Sequence, residues 1–373
     1  MSSQTDLYGY LWFKEYHNEA ALTWIEASLR VLFAASLMTM FSLESSNPMA
    51  VYTTLSSAQV SAYLSPFNLG ELIELRGISG GIENTNYFVT TQVKGQPPQA
   101  FVLTLFEDLD YEEMPYFIGL TEHLVAHNVT VPAPLRNETR TALSLLAGKP
   151  TLLFPRFAGD HLARSEIGKN ECAIMGQELA SLHVAGQGFA TQRQSHRGPL
   201  WWNELGPRAA QCIEGEDATM LMMAIGQYDA MQSQQPNLPT GVIHGDLFHD
   251  NALFNEGKLS ATIDLYNASN DYLLFDVAIT VNDWCISADG SIAPHLYNAF
   301  LDAYANIRAF TPLEQQYWNA MLIAAAMRFW LSRLETFHSL DNHQREEGVT
   351  VLKEPDVFRD ILRHRMQKFH QLP

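Results

Sequence analysis

The sequence is poor in basic residues. Its 373 residues include 23 Lys and Arg against 41 Asp and Glu, which gives a formal net charge of −18. Proteins that bind nucleic acids or anionic membranes need an excess of Lys and Arg to neutralise phosphates. The composition therefore argues against both kinds of partner. A polyanionic small substrate would need local neutralisation, which a divalent cation and backbone N–H groups can supply.

Cysteine is scarce as well. The three residues, Cys172, Cys212 and Cys285, are odd in number and widely spaced. This pattern indicates neither a disulfide framework nor a Cys-x-x-Cys zinc site. We therefore expect a reducing, cytoplasmic compartment.

A long uninterrupted apolar run is also missing. Residues 20–43 are apolar, but Glu26 and Arg30 interrupt them. The clean remainder is about a dozen residues long, too short to cross a bilayer. The preceding residues carry more acidic than basic groups, the wrong sign for a secretory signal. Because Asn47 and Pro48 break the pattern, we expect residues 1–48 to be an extension outside the fold, with a self-contained domain starting at Met49.

The most informative motif that is present is His-x-Asp-x-x-x-x-Asn. It runs from His244 through Asp246 to Asn251, and Asp264 follows between apolar residues. In-line phosphoryl transfer needs a carboxylate that accepts the proton of the attacking hydroxyl, and oxygen ligands that hold Mg²⁺ on nucleotide phosphates. We predict Asp246 as the catalytic base, with Asn251 and Asp264 as Mg²⁺ ligands. His244 completes the catalytic set as a group that organises the loop by hydrogen bonds.

Two other interpretations of this region carry less weight. Its Asp and Asn residues could simply cap turns of a surface hairpin, but the flanking apolar segments predict buried strands on both sides. His249 and Asp250 could belong to a hydrolase-type metal cluster. Such clusters need more His and Asp ligands, and no second His-Asp pair occurs in the chain.

The order of predicted elements indicates an α+β protein with two lobes. A small antiparallel β-sheet lobe (residues 49–157) would bind the nucleotide, and a larger, mainly helical lobe (residues 158–373) would carry the catalytic loop and the acceptor site. This is the protein-kinase-like arrangement. The predicted strands are 72–75, 87–91, 100–106 and 150–157, and the predicted helices are 57–64, 116–127, 169–183, 206–231, 274–285, 294–307 and 312–337.

A glycine-rich loop lies between the first two predicted strands. Gly77, Gly80 and Gly81 lack Cβ atoms, so backbone N–H groups there could approach nucleotide phosphates. The same residues satisfy G-x-S-x-G around Ser79, the nucleophile elbow of α/β-hydrolases. An elbow leads into a helix, whereas this loop leads into another predicted strand. The pattern therefore favours a phosphate flap.

Five segments together resemble homoserine kinases of the choline kinase/aminoglycoside phosphotransferase type: residues 77–87, 103–107, 242–251, 263–266 and 276–285. The resemblance implies ATP- and Mg²⁺-dependent phosphorylation of the hydroxyl of L-homoserine, a step toward threonine. It also implies that Asn84 and Asn86 belong to the phosphate flap and that Asp276 braces the catalytic loop. The alternative acceptors are another small amino alcohol, such as choline, or an aminoglycoside.

One position departs from the usual kinase pattern. Thr104 stands on the third strand where kinases usually place a Lys that grips the phosphates, so we assign Thr104 to the nucleotide site. The missing Lys leaves a second hypothesis open, a nucleotide-binding pseudokinase without turnover. Glu122 is either the usual partner of that Lys or a solvated helix residue.

The acceptor site is predicted from a cluster that follows Asp264. A zwitterionic amino alcohol needs a carboxylate or an aromatic face for its ammonium group. The candidate residues are Tyr266, Asn270, Asp271, Asp283 and Trp284. Each of them could equally be a helix cap or a core residue.

Overall fold

The computed structural model describes residues 53–78, 84–340 and 354–373. The predicted extension, residues 1–48, and the flap residues Gly80 and Gly81 lie outside these ranges. The helices are α1 (Ser57–Leu64), α2 (Met114–Ala126), α3 (Lys169–Gly186), α4 (Pro199–Ala209), α5 (Gly215–Ser233), α6 (Leu273–Trp284), α7 (Pro294–Ala305), α8 (Pro312–Phe337) and α9 (Asp356–Gln367). The strands are β1 (Glu71–Gly77), β2 (Asn84–Gln92), β3 (Gln99–Phe106), β4 (Ser144–Leu146), β5 (Lys149–Pro155), β6 (Asp160–His161), β7 (Thr240–Ile243), β8 (Ala252–Asn255), β9 (Lys258–Thr262) and β10 (Ser269–Tyr272).

The first lobe is built on a five-stranded antiparallel sheet with the order β1-β2-β3-β5-β4. Side chains alternate between the two faces of a strand, so each face has its own core. One face packs against α1, and its buried residues include Val60, Leu64, Tyr87, Leu103 and Leu153. The other face packs against α2, through Phe106, Leu152 and Phe154.

The second core joins residues from both predicted lobes. Phe106 of β3 and Phe117 of α2 share it with Leu182 of α3, Val242 of β7 and Leu265. Because this core spans both sides of residue 157, the predicted lobe boundary between β5 and β6 remains a proposal.

The helical part is organised around α6, which is buried along its whole length. Because it has no exposed face, its polar residues must find partners inside the protein. The helix α8 begins with a capping box, in which Thr311 Oγ1 accepts from the Glu314 N–H and the Glu314 carboxylate accepts from the Thr311 N–H.

The predicted α+β architecture is confirmed, with two differences in the helices. The helix α9 was not predicted. The predicted helix 206–231 is in fact two helices, α4 and α5, separated by residues 210–214. Among the described residues, no helix combines the length and the apolar character needed to span a bilayer.

Candidate active site

The catalytic loop connects β7 to β8 and ends in a short 3-10 turn, His249–Asn251. Gly245 adopts a positive φ of +77°, and a Cβ atom there would lie 2.8 Å from the Asn267 carbonyl oxygen. Only glycine fits this conformation without strain. The glycine of the motif therefore lets the loop turn tightly against the segment that follows Asp264.

His244 is fully buried and holds the loop together. Its Nε2–H donates to the Ile263 carbonyl at 3.0 Å, and its Nδ1 accepts from the Asp246 N–H at 3.3 Å. Burial lowers the pKa of His244. The ring is thus a neutral hydrogen bonder, and no contact gives it the role of a base.

Asp276, in the first turns of α6, binds the backbone of the catalytic loop. Its carboxylate accepts from the backbone N–H groups of His244 and Gly245 at 2.7 and 2.9 Å, and from His183 Nε2 at 3.1 Å. Burial alone would raise the pKa of Asp276, but the hydrogen bonds from His183 and from the Gly245 N–H lower it below its ordinary value. A buried, ionised carboxylate therefore fixes the backbone just before Asp246.

The three residues predicted for catalysis and metal binding lie together. Asn251 Nδ2 donates to the Asp246 carbonyl at 2.8 Å and lies 3.5 Å from Asp246 Oδ2. The Ile263 N–H donates to the Asn251 carbonyl at 2.9 Å, which sets the next residue, Asp264, beside the loop. Asp264 has left-handed backbone angles, with φ 64° and ψ 53°. The loop and Asp264 are thus joined through backbone contacts.

The donor set in this cluster fits Mg²⁺. Carboxylate oxygens and an amide oxygen are hard ligands, and Mg²⁺ in kinase-type sites is held by few protein groups together with water and phosphate oxygens. Within the described ranges no cluster of three or more His, Cys, Asp or Glu side chains forms a self-sufficient metal site. Asn251 and Asp264 are the residues that would hold the ion.

On the nucleotide side, Thr104 contacts Asn86, another residue predicted for that site. Its hydroxyl donates to Asn86 Oδ1 at 2.7 Å, across the β2–β3 pairing, and only 4% of the residue is exposed. The Thr104 hydroxyl is thus held within the sheet by Asn86, and its role at the nucleotide remains a prediction. Gly77 ends β1 and Asn84 begins β2, so both flank the predicted flap, and the Ile78 N–H donates to the Asn86 carbonyl at 2.9 Å.

Glu122, the possible partner of the missing Lys, pairs with Arg136. Its carboxylate forms a two-pronged ion pair with Arg136, at 2.6 and 2.8 Å, near the surface. The structure thus gives Glu122 the role of a surface partner for Arg136, and the alternative of a phosphate-site residue receives no support.

Two of the predicted acceptor residues are structural. Asp283 is 4% exposed, and its carboxylate accepts from the His249 N–H at 2.7 Å, from the His249 ring at 2.9 Å and from Arg164 at 2.6 Å. Burial would raise the pKa of Asp283, but these partners lower it. Trp284 is 1% exposed and donates from Nε1 to the Leu247 carbonyl at 3.1 Å. Both side chains contact the loop inside the protein, and their acceptor roles remain predictions.

The other predicted acceptor residues lie on the 3-10 turn and the strand that follow Asp264. Tyr266 packs edge-on against Phe106, with ring centroids 4.7 Å apart, and lines a small pocket that also includes Asp264. Asp271 and Asn270 lie on β10, which pairs with β7. Asp271 is opposite Gly241, and β7 ends two residues later at Ile243, where the catalytic loop begins. Burial raises the pKa of Asp271 to about 6. Acceptor roles for Tyr266 and Asp271 remain predictions.

Comparison with known proteins agrees with this site. A family model described as a phosphotransferase enzyme family matches residues 74–310, and the chain belongs to this family. It is 40% identical to the homoserine kinase of Methylobacillus flagellatus, over 87% of this chain and 98% of the relative. It is 42% identical to a homoserine kinase of Pseudomonas aeruginosa, over 77% of this chain and 88% of the relative. The resemblance that the sequence indicated is therefore confirmed.

Solved structures agree with the fold. An amicoumacin kinase in complex with AMP-PNP, Ca²⁺ and its ligand has a TM-score of 0.61 at 14% identity, covering 84% of this chain and 93% of its own. A spectinomycin phosphotransferase in complex with ADP and spectinomycin has a TM-score of 0.58 at 13% identity, covering 83% and 94%. At such low identity the likeness concerns the fold alone, and it confirms the kinase-like architecture.

Proposed function

We propose that this protein is an ATP-dependent kinase that transfers the γ-phosphoryl group to the side-chain hydroxyl of L-homoserine. Two observations together carry the proposal. The chain is about 40% identical to homoserine kinases over nearly their whole length. Its catalytic loop also brings Asp246 next to Asn251 and Asp264. A cytoplasmic location is part of the proposal, and it is supported by three cysteines that are all free.

In the proposed reaction, Asp246 orients the acceptor hydroxyl and takes its proton as the oxygen attacks the γ-phosphorus. The bond to the β,γ-bridging oxygen breaks, and ADP leaves with that oxygen. Asn251 and Asp264 would hold Mg²⁺, which when bound neutralises charge on the phosphates. The contact between Asn251 and the Asp246 backbone keeps the proton acceptor and the metal site at a fixed separation.

The pseudokinase alternative rests on the missing Lys at Thr104. The structure weakens its basis, because Thr104 is committed to Asn86 and Glu122 to Arg136. Backbone N–H groups and Mg²⁺ can then neutralise the nucleotide.

A coupled ADP-release assay tests the proposal. It should compare L-homoserine, choline, ethanolamine, methylthioribose and kanamycin as acceptors for the wild-type protein and for Asp246→Asn. We expect turnover with homoserine and loss of that turnover in the variant. Asp302→Asn, an exposed position on α7, serves as the matched control and should behave as wild type.

Each other outcome has a definite meaning. Turnover confined to another acceptor would refute the homoserine assignment while leaving the kinase intact. Binding of Mg-ATP without transfer to any acceptor, and without an effect of Asp246→Asn, would replace the enzyme by a pseudokinase.

A further inference from the structure

Arg164 lies beside the catalytic loop although it precedes the loop by many residues. The pairing of β6 with β8, His161 opposite Leu253, brings the segment that contains Arg164 alongside the residues that follow Asn251. The Arg164 guanidinium donates to the carbonyl and, at 2.6 Å, to the carboxylate of Asp283, and it lies 3.3 Å from His249 Nδ1. The loop therefore has a fixed cation at its edge.

The Arg164–Asp283 pair is strongly asymmetric in exposure. The Asp283 side chain is 5% exposed, whereas the Arg164 side chain is 45% exposed. A buried carboxylate thus anchors a guanidinium that still faces solvent. Because a guanidinium has five N–H donors, bonds to Asp283 leave donors for a further anion.

Arg333 on α8 is a second cation in the same neighbourhood. Its Nη1 donates to the Glu354 carbonyl at 2.9 Å, and its guanidinium lies 4.4 Å from the centre of the Phe358 ring. Burial lowers the pKa of Arg333 to about 10, so it stays protonated at neutral pH, while the charges of Asp283, Asp250 and Asp246 oppose that shift. The Phe358 ring in turn stacks on Phe248 of the catalytic loop, with ring centroids 5.7 Å apart, so Arg333 lies close to the loop.

We infer that Arg164 and Arg333 bind the carboxylate of the acceptor and so select an amino acid over a simple amino alcohol. This inference rests on the proposed function and adds the residues that set its specificity. Homoserine differs from choline, ethanolamine and aminoglycosides in having a carboxylate, and guanidinium groups match carboxylates geometrically. In a chain with a net charge of −18, two cations held beside the catalytic loop are a local exception. An anionic substrate group between them would relieve their mutual repulsion.

The test compares two acceptors that differ only in the carboxylate. 3-Amino-1-propanol is homoserine with hydrogen in place of that group. For the wild-type protein we expect kcat/KM to favour homoserine. Arg164→Gln and Arg333→Gln should each lower kcat/KM for homoserine by about 10- to 100-fold, mainly through KM, as expected for a lost charge-assisted hydrogen bond. The kcat/KM for 3-amino-1-propanol and the KM for ATP should change by less than about twofold.

A matched control is available on α9. The Arg363 side chain is 44% exposed and pairs with Asp217 at 2.9 Å, so it resembles Arg164 in exposure and in having an aspartate partner. Arg363→Gln should leave both acceptors unaffected. A general effect of removing an exposed, paired arginine would show itself in this variant.

The outcomes separate the two levels of inference. If the wild-type protein does not phosphorylate homoserine, the proposed function fails first. If it does, but both variants lose activity equally on both acceptors or raise the KM for ATP, the arginines are structural and the inference is overturned. Should a variant fail to fold, the wild-type comparison decides, because equal kcat/KM values for the two acceptors would exclude recognition of the carboxylate.

Discussion

Replacing Asp276 by Asn should destabilise the protein and slow catalysis together. The buried carboxylate accepts from the His244 and Gly245 N–H groups and from His183. An amide of the same shape keeps one accepting oxygen, but its NH₂ group then faces a donor. Hydrogen bonds to charged groups contribute about 1.5–3 kcal/mol each, and a buried donor left without a partner costs about 1–3 kcal/mol. We expect the free energy of unfolding to fall by about 3–4 kcal/mol.

Urea denaturation provides the measurement, with the slope m checked to be unchanged so that the midpoint shift reports stability. Because the same N–H groups position Asp246, kcat should fall while the KM for ATP stays close to its wild-type value. Asp302→Asn is the control and should change stability by less than about 0.5 kcal/mol. A loss below about 1 kcal/mol with full kcat would refute the view that Asp276 fixes the loop.

Three further predictions concern single positions. Asp264→Asn should weaken Mg-ATP binding in calorimetry, whereas Asp246→Asn should abolish turnover with little change in that affinity, and equal affinity losses would contradict the division of roles. Asp271→Asn should raise the free energy of unfolding by up to about 3 kcal/mol above pH 6 and leave it unchanged below pH 4. The reason is that the folded protein raises the pKa of this carboxyl from 3.8 to about 6, so its ionisation costs stability as pH rises through that interval. A difference between variant and wild type that does not change with pH in thermal melts would refute this prediction. Gly245→Ala should cost at least about 1 kcal/mol of stability and most of kcat, since the new Cβ would lie 2.8 Å from the Asn267 carbonyl oxygen, and a fully active, equally stable variant would disprove the close approach.

The sequence predicted the fold and the catalytic loop well because the signals for both are local. The alternation of buried and partly buried residues along β2 is visible in the chain, and His244, Asp246 and Asn251 lie within eight consecutive positions. The roles of Asp246, Asn251 and Asp264 still depend on the experiments above.

The contacts of the predicted acceptor residues could not be foreseen, because they are set by tertiary packing. Asp283 and Trp284 follow the loop closely in sequence and have suitable chemistry, but α6 is buried on every side and turns both side chains toward the loop backbone. Arg164 reaches the site only through the β6–β8 pairing. No local sequence pattern predicts such a contact.

The helix α6 holds the catalytic loop at three points: Asp276 at His244 and Gly245, Trp284 at Leu247, and Asp283 at His249. The two aspartates are seven residues apart, which on an α-helix means the same face and a rise of about 10 Å. One inserted residue between them would rotate the second by about 100° and detach half of the loop. The loop and α6 therefore depend on each other structurally. Chimaeras of related kinases should keep activity only when the loop and the helix come from the same parent.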